Sequence, residues 1–205
     1  NSVVFASGST FIQNAGANPF QKTQPASVVI FQTGSLFRFQ SSGGTPSFSG
    51  RTYANFELNV AGTFTVIGGS AVSIDDLTVS LGTLNFNMTS TPGHSIRSNI
   101  FVASGATLNF APATAGTVNL NGSAAQTISG LGTTAMAANA TLIVANSLGV
   151  NLNVNLPVTG LLTVSNGSTL NISGSAVVSG TGAFTLGASG TLGIGAVDGL
   201  SSTAA

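Results

Sequence analysis

A short polar turn containing glycine recurs along this chain, each time between two stretches in which apolar and polar residues alternate. The clearest copies are Val4–Ile12, Ile30–Phe37, Phe101–Phe110, Leu162–Ile172 and Phe184–Ile194. Copies around Gly62 and Gly82 are weaker, and those at Gly130 and Gly149 are the least regular. From Gly8 through Gly34, Gly62, Gly82, Gly105, Gly130, Gly149 and Gly167 to Gly190 is 182 residues in eight steps, a period of about 23. Alternating residues of a strand point to opposite sides. In Thr83-Leu84-Asn85-Phe86, Leu84 and Phe86 therefore face inward, and Thr83 and Asn85 outward. Strand-length pieces at a period near 23 predict an all-β fold, a parallel β-helix or β-solenoid of roughly nine coils. At ~4.8 Å per coil the rod would be about 40 Å long. Helical periodicity is missing except in the scrap Thr134–Asn139. A leucine-rich repeat has a similar period but a strict leucine frame, which is absent here. A β-sandwich would place turns every ~8–12 residues.

Stacking also explains an unusual composition. Between Ser98 and Val197 there is no Asp, Glu, Lys or Arg, and charged residues make up 4% of the chain, against about a quarter in ordinary globular domains. In a solenoid each side chain lies against its counterpart in the next coil. A column of like charges repels itself, whereas columns of Thr, Asn, Ser or Val are self-compatible.

The same poverty of charge excludes whole classes of partner. Four Lys and Arg in all cannot make the basic face that duplex DNA or RNA requires, nor an electrostatic attachment to anionic lipid. Mean hydropathy is +0.46, but no apolar run approaches the ~18 residues of a membrane-spanning helix. Cys is absent, so disulfides and thiolate metal sites are excluded. No cofactor or metal is expected. A chain rich in apolar residues and poor in charge is not expected to be disordered.

The chain reads as a single region, 1–205. Residues 1–60 are expected to form less regular coils, with insertions at Asn14–Phe20 and Ser41–Pro46. Residues 61–199 form the regular rod, and 200–205 a tail or the start of another module. The beginning at Asn1 suggests a mature product or a piece of something longer.

The runs Gly82–Phe86, Ser104–Phe110, Asn121–Gly130, Ser165–Gly174 and Pro46–Leu58 resemble β-solenoid stretches of large secreted and cell-surface proteins of the Bacteroidota, typical cargo of type IX secretion. The resemblance covers most of the chain. It implies an extracellular or cell-surface location and a scaffold, filament or adhesin role. It implies no catalytic residues.

Three sets of residues are candidates for chemistry. The first is the outward Thr-x-Asn pairs Thr83/Asn85, Thr107/Asn109, Thr117/Asn119 and Thr169/Asn171. Stacked on one flat face, they would present hydroxyls and amides to a glycan or to ordered water, as in ice-binding solenoids; the bland alternative is that outward strand positions must be polar and Thr suits strands. The array would be interrupted at Leu142–Val144 and Gly193. The second is Asp75 and Asp76, with His94, Arg97 and Arg51 one or two coils away. Paired carboxylates on a β-helix can cleave polysaccharide, but Asp75-Asp76 reads more simply as a turn and His94 as an exposed histidine in the Pro-Gly turn Thr91–Ser95. The third is the set of Asn-x-Ser/Thr sequons at Asn87, Asn121, Asn139, Asn166 and Asn171. In a chain so rich in these residues they arise by chance, and Asn121-Gly122 and Asn166-Gly167 read as tight turns.

The leading expectation is a non-enzymatic, stiff, uncharged rod in a secreted or surface protein, which spaces, displays or adheres, with self-association or other surface proteins as partners. A glycan- or ice-binding module is the first alternative, and a polysaccharide lyase or hydrolase the second.

Overall fold

The computed structural model describes residues 3–16, 18–22, 26–90 and 93–201. They form a parallel β-solenoid of nine coils with three walls, here called faces I, II and III, and no helix among the described residues. Every strand pairing among them is parallel.

Coils one and two carry two strands each: Val3–Phe5 and Val29–Phe31 on face I, Thr10–Gln13 and Leu36–Phe39 on face II. Coils three and four are each one long strand, Thr52–Gly68 and Ser73–Met88, that bends around all three faces. Afterwards face I holds His94–Ile96, Gly116–Leu120, Ala140–Val144, Leu161–Val164 and Ala183–Leu186. Face II holds Ile100–Val102, Gln126–Gly130, Val150–Leu152, Thr169–Ile172 and Thr191–Ile194. Face III holds Thr107–Phe110, Thr133–Met136, Leu156–Pro157, Val178–Ser179 and Leu200–Ser201. The expected alternation holds: Leu84 and Phe86 are buried, and Thr83 and Asn85 face out. The expected helical scrap is instead the strand Thr133–Met136 followed by a turn.

One inward column runs the whole length, buried from Phe37 to Ile172 and partly exposed at its ends, Phe11 and Ile194. Phe11, Phe37, Phe56, Leu77, Ile100, Ile128, Leu152, Ile172 and Ile194 stack in register, one per coil on face II. They span 183 residues in eight steps, about 23 per coil. The rise per coil is the inter-strand spacing, so each apolar side chain lands on the next and the core is continuous.

Three-walled coils begin at Thr52. In the first two coils, side chains from the insertions close the third side. Phe20 packs against Phe11 at 5.2 Å and Phe31 at 5.7 Å between ring centroids. Phe48, two residues past the second insertion, meets Phe56 of the third coil edge-on at 4.6 Å. Arg51 is buried and ties the first insertion down: it donates to Asn18 Oδ1 at 2.8 Å and to the Lys22 carbonyl, and its guanidinium lies 5.7 Å from the Phe20 centroid.

Candidate binding face

The glycine turns do not form one corner. Gly8, Gly34, Gly149 and Gly167 lie between faces I and II, whereas Gly62, Gly82, Gly105 and Gly130 lie between faces II and III. All eight have positive φ. In the ninth coil the left-handed residue is Ser189, φ 55°, just before Gly190. The look-alike runs after these turns therefore project from different walls.

That divides the candidate residues. Thr83, Asn85, Thr107 and Asn109 lie together on face III, in register across two coils. Thr117 and Asn119 are on face I, where Thr117 is followed by Thr141 and then Leu161, and Asn119 by Ile143. Thr169 and Asn171 are on face II, beside Thr191 and Gly193 in the last coil and with Asn151 behind Asn171. The eight residues make one short array and two separate pairs, because the same local motif follows turns at two different corners.

The face III array is longer than the sequence reading had it. Thr63, Thr83, Thr107 and Thr133 form an unbroken column over four coils. Beside it run Thr65, Asn85 and Asn109, ending at Ala135. The second column is internally bonded: Asn85 Nδ2 donates to Thr65 Oγ1 at 3.2 Å, and Asn109 Nδ2 to Asn85 Oδ1 at 3.5 Å. The second column is thus bonded within itself, and the hydroxyls of Thr63, Thr83, Thr107 and Thr133 are the groups left to meet water or a ligand. Thr63, Thr65 and Thr133 were not singled out from sequence, since Thr133 lacks the Thr-x-Asn signature and Thr63-Phe64-Thr65 replaces it with Thr-x-Thr.

The acidic pair and its neighbours take separate places. Asp75 and Asp76 sit in the continuous strand at the corner of faces I and II, not in a turn between strands. Asp75 Oδ1 accepts from Arg97 Nε at 2.8 Å, one coil on. Asp76 Oδ1 accepts from the backbone N–H of Asn99 at 2.9 Å, and Asn99 Oδ1 in turn accepts from the Thr127 N–H at 2.9 Å. On face II, Arg38 Nε donates to Glu57 Oε2 at 2.6 Å, again one coil on. Opposite charges thus stack where like charges would repel.

His94 corrects the sequence reading most directly. It is an inward residue of face I, fully buried, not an exposed turn residue; Thr91 and Pro92 of that turn lie outside the described residues. Its Nδ1 accepts from the Val72 N–H at 3.2 Å, and its ring meets Phe86 edge-on at 5.2 Å. Burial pushes its pKa below the ordinary value, with the Met88 backbone acting the other way. Asp75 and Arg97 meet outside the wall, His94 lies inside it and Arg51 is buried against the first insertion, so the five residues do not converge in one groove. No group of three or more His, Cys, Asp or Glu among the described residues could hold a metal ion, and no helix among them is long and apolar enough to cross a membrane.

No protein-family model, curated protein or solved structure matches this chain.

Proposed function

We propose that this chain is a structural rod of a secreted or cell-surface protein, a stiff and nearly uncharged spacer that displays or adheres. The observation that carries this reading is the nine-membered inward column from Phe11 to Ile194. A stack whose apolar core is continuous resists bending, because flexing must open contacts between whole coils at once. The stretch from Ser98 to Val197 carries no charged side chain, so its exterior is made of Ser, Thr, Asn and Gly with single exposed apolar residues such as Leu131 and Leu148. The location rests on the resemblance to surface solenoids alone. The test is electron microscopy of the native, full-length protein, purified and at the cell surface. This segment is expected inside elongated stalks or filaments; compact isolated particles would overturn the reading.

A second reading is favoured by the hydroxyl column Thr63, Thr83, Thr107 and Thr133. A flat, regularly spaced row of hydroxyls suits a glycan or ordered water. Thr107→Tyr and Asn109→Lys should then abolish binding to a glycan array, or thermal hysteresis, while circular dichroism stays unchanged.

A further inference from the structure

The chain contains two Asn-Gly sequences, Asn121-Gly122 and Asn166-Gly167. This dipeptide is chemically weak because glycine has no Cβ to hinder its own nitrogen. The two sites occupy opposite environments. Gly122 donates its N–H to Gln126 Oε1 at 2.9 Å, and Asn121 donates from Nδ2 to Ser95 Oγ at 3.2 Å. The space around Gly122 is also closed: a side chain there would overlap the Arg97 carbonyl. At the second site the Asn166 side chain and the Gly167 N–H have no hydrogen-bond partner among the described residues. Both residues are exposed, and nothing lies within 4 Å of where a Gly167 Cβ would stand.

We propose that Asn166-Gly167 is a site of spontaneous modification in the folded protein, and that the fold holds Asn121-Gly122 inert. The deprotonated Gly167 nitrogen attacks Asn166 Cγ, forming the N–Cγ bond. The Cγ–Nδ2 bond breaks and the amide nitrogen leaves as ammonia, giving a five-membered succinimide. Water then opens the ring at either carbonyl, producing Asp or isoaspartate at 166. No oxidant or reductant is involved.

The consequences are local and readable. The new carboxylate is the only charged side chain between Ser98 and Val197. It lies against Gly187 of the next coil, which offers no side chain to meet it. Isoaspartate also lengthens the main chain within a turn closed by the Ser168 N–H donating to the Ser165 carbonyl at 3.1 Å.

The test ages the native chain at mildly alkaline pH and follows each site by peptide mass spectrometry and enzymatic methylation of isoaspartate. Asn166 is expected to react at least on the order of tenfold faster than Asn121, because two hydrogen bonds and a crowded backbone must first be undone at Asn121. In denaturant the two rates should converge. Asn166→Gln should remove the acidic band that native ageing produces on isoelectric focusing. Equal rates in the folded chain would overturn the proposal, as would an Asn166 that stays intact natively yet reacts in denaturant.

Discussion

Asn146 Nδ2 donates to Gln126 Oε1 across 2.9 Å, from one coil to the one before it, and both side chains are buried. The pair is the centre of a corner network. Gln126 Nε2 donates to the Ile96 and Ser98 carbonyls at 3.0 and 2.6 Å, and its Oε1 also accepts from the Gly122 N–H. Asn146 donates to the Ala124 carbonyl at 2.7 Å and accepts from the Leu148 N–H at 2.8 Å. Three coils are joined through two amides, in a part of the molecule with no charge to do the same work. Asn146→Ala should cost about 2–3 kcal/mol, since it strands buried backbone groups and removes the link. Asn166→Ala, at an exposed asparagine with no such bonds, should change stability by less than ~0.5 kcal/mol. Urea melts of the two variants decide it: equal midpoints would mean that the corner network adds nothing.

Gly130 and Gly105 sit at the same corner in successive coils, yet they should respond differently to substitution. Both have positive φ, 120° and 78°. At Gly105 nothing lies within 4 Å of a Cβ position, so Gly105→Ala meets only backbone strain of about 1–2 kcal/mol. At Gly130 a Cβ would overlap the Val102 carbonyl oxygen in the coil before. Gly130→Ala must therefore push two coils apart, and it should be the more destabilising by at least ~2 kcal/mol. Thermal melts of both variants, read against the parent, give the comparison; similar losses would refute the role of close coil contact.

These glycines also show where the sequence was legible and where it was not. Their recurrence carried the fold class, the coil count and the inward placement of Leu84 and Phe86, because a strand's two-residue period and a coil's length are both written locally. The assignment of each turn to a corner is not local. Gly82 and Gly167 both precede a Thr-Leu-Asn run, but one leads onto face III and the other onto face II. Only the number of residues on each wall, set by insertions elsewhere in the coil, separates them. The array of Thr83, Asn85, Thr107 and Asn109 was therefore readable, and its separation from Thr117, Asn119, Thr169 and Asn171 was not. Gln126 and Asn146 escaped for a related reason: polar residues flanking a turn look solvated until the coils before and after supply their partners.

His94 gives the fold a dependence on pH whose sign follows from its surroundings. The ring is buried, and Nδ1 is occupied as an acceptor from the Val72 N–H. Burial, the larger influence, holds its pKa below the ordinary value. As pH falls through about 6.5, the unfolded chain takes up a proton at this position before the folded one does. In that window the unfolded state binds more protons, so stability falls as pH falls. The full contribution is present above about 6.5 and is lost progressively below it, down to the folded-state pKa. His94→Leu removes the titration but also takes the acceptor from the Val72 N–H, which should cost about 1–3 kcal/mol at neutral pH. Urea midpoints measured near pH 7.5 and near pH 5 should show a larger acid loss in the parent than in His94→Leu. The carboxylates are common to both chains, so the difference between the two losses belongs to His94. Equal losses would place the acid sensitivity elsewhere.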